Sequence, residues 1–227
     1  MGCAFIMRLL LAMQMAGQEG YPMTDKGHKA ACKKEMQDLK AGREEISHLA
    51  EKFEFRDIRP AEGAEAAGIE AVCFPPNEAC SEKMMLERAA RVPDLFLVAV
   101  DRASGRIAGF LNGLATDEER LRDAFFTDAG LHRPEGHTVM LLGLDVLPEY
   151  RGMGLARELV RRYAEREREK GRCALRLTCV PAKVKMYEKM GFQDEGISDS
   201  VWGGVVWNEM SRSLVQPREE KARKDIG

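Results

Sequence analysis

The sequence predicts an α/β fold with strands and helices interleaved along one domain. Two observations carry this. From Phe53 onward, short alternating or apolar runs trade places with amphipathic stretches. In the middle, the apolar run Met140 to Leu147 meets a glycine turn, Arg151-Gly152-Met153-Gly154-Leu155-Ala156, which opens a long helical pattern. Strand, tight turn and helix N-terminus follow in that order.

The elements follow in chain order. Phe53 to Ile58 alternates apolar and polar residues, as a half-buried strand does. Ala61 to Val72 has a helical pattern that Phe74-Pro75-Pro76 ends. Asn77 is suited to cap a second helix, Glu78 to about Arg91. Leu95 to Val100 and Arg106 to Leu114 are expected as strands joined by a turn at Ala103-Ser104-Gly105. Thr116-Asp117-Glu118-Glu119 has the form of a capped helix start, with the helix reaching about Phe126. Thr138 to Leu147 is the central strand, and a helix from Gly152 to Lys170 follows. Its Leu155, Leu159, Val160 and Tyr163 share one face, and Gly171 is placed to cap its C-terminus. A strand over Cys173–Cys179, a short helix over Ala182–Met190, and strands near Phe192–Gly196 and Gly204–Ser211 complete the domain.

Composition narrows the function. The 227 residues fit one domain with extensions, and a net charge of −2 argues against a nucleic-acid partner. The domain is expected over 53–215. Residues 1–52 are expected as a partly helical or disordered extension, and 216–227 as a disordered charged tail. The six cysteines include no CxxC pair and no histidine at ligand spacing, so neither a metal nor a disulfide framework is expected. They read as reduced thiols of a cytoplasmic protein. No apolar run approaches the ~18 residues of a membrane span. Met1 to Ala16 is apolar, but Gln14-Met15-Ala16 is a poor cleavage site, and Ile6 stands where myristoylation favours Ser or Thr. Translation from Met23 or Met36 is an alternative.

The glycine turn carries chemistry. Unpaired N–H groups at a helix N-terminus, with the positive end of the helix dipole, suit a phosphate. Glycine at such a junction also serves sterics alone. The turn is neither a Walker A loop, lacking Gly-Lys-Ser/Thr, nor a complete dinucleotide fingerprint.

Two segments together point to a family. Leu144-Asp145-Val146-Leu147-Pro148-Glu149-Tyr150-Arg151-Gly152-Met153-Gly154-Leu155-Ala156 resembles the acetyl-coenzyme A motif of the GNAT superfamily of N-acetyltransferases, with Arg151, Gly154 and Ala156 in its defined positions. Met186-Tyr187-Glu188-Lys189-Met190-Gly191-Phe192 resembles that superfamily's second signature. Phe110-Leu111-Asn112-Gly113, Asp117 to Leu121, Leu131-His132-Arg133-Pro134, Gly136-His137 and Trp207 to Met210 are similar to the arylalkylamine branch. The resemblance spans roughly Phe53 to Leu214. It implies a mostly antiparallel central sheet flanked by helices, and acetyl-CoA as acetyl donor, with no metal.

The resemblance also implies site residues. The pantetheine arm would meet main-chain groups around Leu144, Asp145 and Val146, and the pyrophosphate would lie over Gly152, Met153, Gly154, Leu155, Ala156 and Arg157, with charge from Arg151 and Arg157. Tyr187 is the implied catalytic acid. A phenol pKa of about 10 lies modestly above a thiol's at about 8.5. The two histidines associated with proton relay in that branch fall at Met140 and Leu142, neither of which moves a proton. His137 lies earlier on the strand, and Glu70, Glu78 and Glu87 remain alternatives for the base, as does ordered water alone. Phe74 and Pro75, facing Met140, Leu142 and Thr178, are expected to line the acceptor pocket. Cys179 has no histidine at useful spacing for a covalent route. The expected reaction is direct acetyl transfer to a small-molecule primary amine, arylalkylamines first and polyamines next. Acetylation of a protein lysine or N-terminus, and a non-catalytic acyl-CoA-binding module, are the alternatives.

Overall fold

The computed structural model describes residues 48–215. The expected N-terminal extension up to residue 47 and the tail from residue 216 lie outside the described residues. Residues 48–52 are helical. Leu49 packs into the core, and Lys52 O accepts a bond from Arg102 N.

Seven strands form one sheet in the order β1-β2-β3-β4-β5-β7-β6. They are β1 (Phe53–Asp57), β2 (Phe96–Asp101), β3 (Ile107–Thr116), β4 (Thr138–Val146), β5 (Ala174–Cys179), β6 (Gln193–Ile197) and β7 (Asn208–Ser213). Every neighbouring pair is antiparallel except β4 with β5. The helices are α1 (Gly63–Cys73), α2 (Glu82–Arg91), the single turn α3 (Ala124–Thr127), α4 (Leu155–Glu169) and α5 (Val184–Glu188).

Both faces of the sheet are covered, which explains why β2 and β3 are buried along their whole lengths. Ala66, Ile69, Met85 and Ala89 of α1 and α2 pack on Phe96, Val98, Ile107 and Phe110. Leu155, Leu159, Val160 and Tyr163 of α4 enter the other core. The Tyr163 hydroxyl, fully buried, donates to Leu95 O at 3.0 Å, so its polar end is satisfied.

The helix expected from Gly152 begins at Leu155, with Gly154 as its N-cap. Two other helix starts differ more from the sequence expectation. The second helix begins at Glu82, not Glu78, and its cap is Ser81, whose Oγ accepts from Met84 N at 3.3 Å. Pro75 O instead takes the N–H groups of Glu78 and Ala79, and Glu70 Oε1 takes that of Cys80 at 2.9 Å. These bonds hold 75–80 as a turn, and Asn77 Nδ2 donates across to Gly203 O at 2.7 Å. Ser81→Ala is expected to lower stability by about 1 kcal/mol, read by denaturant titration. An unchanged midpoint would show that the cap contributes nothing.

The helix expected from Thr116 is the other difference. Thr116 is the last residue of β3, paired with Thr138, and only Ala124–Thr127 is helical. Asp117 Oδ1 accepts from His137 N at 3.0 Å, which ties the segment after β3 to the start of β4.

Candidate functional site

The site begins with a split in the sheet. The parallel pair β4–β5 is in register only over Thr138–Met140 and Ala174–Arg176. Beyond that, Leu141 to Leu144 and Val146 on one side, and Leu177 to Val180 on the other, line a single cavity of about 570 Å³. A register shift in β4 accompanies the split. Asn112 faces Gly143 while Gly113 faces Leu141, so Leu142 is an extra residue that bends the strand.

The glycine turn lies at the mouth of this split. Gly152 and Gly154 have φ of 78° and 82°, the left-handed region that side chains disfavour. Gly154 is the N-cap of α4, and Gly154, Leu155, Ala156 and Arg157 border the cavity. The first helical turn also contains Glu158, a charge unfavourable to a bound anion. Arg161 Nε and Arg162 Nε donate to its carboxylate at 2.7 and 2.6 Å, and these bonds hold it ionised below the usual carboxylate range although burial opposes them. The open main-chain donors at the helix end are therefore not countered by a free carboxylate.

The structure brings most of the expected residues to this cavity and leaves three outside its wall. Arg151, Gly152, Leu144, Val146, Phe74, Pro75, Leu142, Thr178 and Tyr187 all border it. Met153 stands exposed outside it. Met140 does not border it, contrary to expectation. Its backbone is paired on both sides, to Leu114 and Arg176, where the sheet is still closed, and it is 0% exposed within the core. The Asp145 side chain is also absent from the wall, and it is 0% exposed. Of the main-chain groups expected to bond pantetheine, the Val146 carbonyl already accepts from Arg151 Nε at 2.9 Å.

Tyr187 sits on the cavity wall with its ring edge-on to Phe192 at 5.7 Å. Burial raises its pKa, and Cys179 and Asp145 add to the rise, so the phenol keeps its proton. The Cys179 thiol is pushed by burial up to about 11 and is a neutral wall group, not a nucleophile. His137 lies on the surface, with Nδ1 at 2.9 Å from Asp117, and does not border the cavity. Among the glutamates, Glu70 and Glu78 border it and Glu87 does not.

Three aromatic residues of the acceptor wall had not been assigned to the pocket. Phe126, Trp202 and Trp207 form an aromatic side. Phe126 and Trp202 stack at 5.1 Å, Trp202 Nε1 donates to Glu78 O at 2.7 Å, and Trp207 Nε1 donates to Trp202 O at 2.8 Å. Two tryptophans flanking Gly203-Gly204 were the available signal. Their inward placement depends on the positive φ of both glycines and on the bond from Asn77.

Residues 65–192 match the model of the Acetyltransferase (GNAT) family. The chain belongs to the GNAT acetyltransferase family. A serotonin N-acetyltransferase of Mesocricetus auratus is 36% identical over 112 residues, 48% of this chain and 52% of that protein. The chain thus spans about half the length of that curated relative. Among solved structures, the GphF GNAT-like decarboxylase in complex with isobutyryl-CoA has a TM-score of 0.61 at 20% identity, covering 71% of this chain and 100% of that one. The yncA protein of Salmonella typhimurium, solved with its cofactor acetyl-CoA, has a TM-score of 0.52 at 18% identity, covering 72% and 95%. These two likenesses show the GNAT fold.

The residues present fit the acyl-coenzyme A of such GNAT proteins. The parted edges of β4 and β5 leave a slot for an extended polar arm, and the Gly152–Gly154 turn gives backbone donors for a pyrophosphate. No helix among the described residues is long and apolar enough to cross a membrane.

Proposed function

We propose that this chain acetylates the primary amine of a small molecule, an arylalkylamine first and a polyamine next, using acetyl-CoA as donor. The observation that carries this reading is the continuity of the cavity. It is lined by the residues of the β4–β5 split and the glycine turn, by Phe74, Phe126, Trp202 and Trp207, and by Tyr187. Aromatic walls suit a flat apolar substrate.

The donor supplies an activated acetyl thioester. The chain's own groups do the rest. Leu144, Val146 and the residues from Arg151 to Arg157 hold the donor, and Phe74, Pro75, Leu142 and Thr178 shape the acceptor side. Tyr187 Oη holds the proton that the departing sulfur takes, and Cys179 forms no covalent link. Among the described residues, Cys73, Cys80 and Cys179 are in no disulfide, which supports a cytoplasmic enzyme.

Closure of the acceptor end favours a small molecule over a protein lysine. The segment 200–207 is bonded to 77–78 by Asn77–Gly203 and Trp202–Glu78, and to Asp123 by Ser200 Oγ. A peptide would need that wall opened. The test is thiol release from acetyl-CoA with a panel of phenethylamine, tryptamine, spermidine and a lysine peptide. Arylalkylamines are expected to be fastest. Coenzyme A binding without thiol release on any amine would leave the non-catalytic reading in its place.

A further inference from the structure

A buried polar cluster stands behind the acceptor cavity, at Gly143. Glu70 of α1 is 2% exposed, Asp145 of β4 is 0% and Asn112 of β3 is 1%. Glu70 Oε2, Asn112 Nδ2 and both oxygens of Asp145 have no hydrogen-bond partner. A Cβ on Gly143 would lie 3.1 Å from Asn112 Nδ2, 3.1 Å from Asp145 Oδ2 and 3.3 Å from Glu70 Oε2. Three orphaned atoms therefore surround one point, which the missing side chain of Gly143 leaves open. Glu70 and Gly143 both line the cavity that Tyr187 borders.

Leaving such groups unpaired inside a protein is costly, and native structures rarely do so without a use. The charges here are unequal. Arg88 of α2, 3% exposed, is the buried cation of the cluster. It donates to Asn112 Oδ1, Phe126 O and Cys80 Sγ, and to no carboxylate. Two carboxyl groups face this one guanidinium. Arg151 also faces Asp145, but it is an exposed residue whose Nε donates to Val146 O, so inside the cluster one buried guanidinium stands against two carboxyl groups.

We propose that the Glu70–Asp145 pair, with Asn112, is the station that receives the ammonium group of the acceptor and takes its proton. This rests on the acetyltransfer reading and adds a substrate charge and a base to it. In the free protein Asp145 holds a proton. Burial above all, and then the Glu70 charge, raise the Asp145 pKa well above the usual carboxylate range. The arriving ammonium replaces that proton, which passes to solvent, and two cations then balance two carboxylates. One N–H bond of the ammonium breaks, its electron pair stays on nitrogen, and the proton bonds to Glu70 Oε2. The pair again holds one proton and the amine is free to attack.

The groups facing the pair are Cys73 of α1, Cys80, Arg88 of α2, Arg151 of the glycine turn and Tyr187 of α5. Burial pushes the Cys73 and Cys80 thiols up to about 11 and about 12. Both stay neutral and neither competes for the proton near pH 7.

The experiment uses the full chain saturated with coenzyme A, with phenethylammonium as probe and neutral 2-phenylethanol as its control. Binding is followed by calorimetry in two buffers of different ionisation heat. The parent is expected to release a proton on binding phenethylammonium, and none with the alcohol. Glu70→Gln and Asp145→Ala are expected to weaken phenethylammonium binding about 10- to 100-fold, the range for a lost charged hydrogen bond. Coenzyme A and alcohol affinities should hold. Asp145→Ala should also melt higher than the parent. The gap should widen as pH rises above about 4, where the unfolded Asp145 ionises and the folded one does not. A purely structural Asp145 would give a less stable variant. Parent-like ammonium affinity in both variants, or a loss confined to Glu78→Gln, overturns the proposal. So does failure of the parent to bind phenethylammonium. If Asp145→Ala fails to bind coenzyme A, Asp145→Asn takes its place. The amine panel reads separately, because thiol release by the parent that is indifferent to Glu70→Gln keeps the acetyltransfer reading and removes only the proton station.

Discussion

Tyr187→Phe is expected to lower kcat by about 10²- to 10⁴-fold, the usual span for a general acid. The affinity for coenzyme A should be unchanged. The substitution removes one oxygen and keeps the ring that packs on Phe192, so the fold of α5 and its neighbours has no reason to alter. Burial raises the phenol pKa, with Cys179 and Asp145 contributing. The proton is therefore in place throughout the neutral range, but its transfer to a thiolate is steeper than the free-solution values of about 10 and 8.5 imply. The parent should lose activity at high pH as the phenol ionises, and the variant should lack that limb. A variant matching the parent from about pH 6 to 10, a range spanning those reference values, would make Tyr187 a wall residue only.

What was readable in the sequence was whatever local patterning controls. The glycine turn specifies its own backbone, since two left-handed positions two residues apart require glycine, and Gly152 and Gly154 adopt them. The amphipathic face of α4 placed Leu155, Leu159, Val160 and Tyr163 in the core. Tyr187 was found because its short helix and Gly191-Phe192 form a contiguous motif. The misplacements are tertiary. The resemblance put Met140 and Leu142 together at the two histidine positions, but the extra residue at Leu142 breaks the alternation of the strand, and the sheet opens only past Met140. Asn77 has an ideal capping side chain, yet Glu70 and Pro75 take the N–H groups that would have begun the helix. Trp202 and Trp207 enter the pocket through a loop with no periodicity. The Glu70–Asp145 juxtaposition joins α1 to β4, and no spacing along the chain announces it.

The largest expected change in stability comes from Gly109→Ala. Gly109 lies on β3 opposite Val146, at the end of β4 that walls the coenzyme slot. A Cβ there would be driven onto the main-chain oxygen of Asp145, and would lie 3.1 Å from both Cα and Cγ2 of Val146. No rotamer relieves a clash with backbone, so one strand must move, and β3 is buried along its whole length with no slack. The expected loss is about 2–4 kcal/mol, a fall in Tm on the order of 5–15 °C for a domain of this size. Gly68→Ala is the natural control. Gly68 lies within α1 with nothing within 4 Å of its Cβ position, and alanine there should stabilise by about 0.5–1 kcal/mol through helix propensity. The same added methyl thus has opposite signs at two sites. If both variants melted together, the close β3–β4 approach would be absent in solution. Because the displaced atoms are the main chain of Asp145 and Val146, Gly109→Ala should weaken coenzyme A binding as well as stability. Gly68→Ala should leave binding as it is, which separates damage to the slot from a general change in stability.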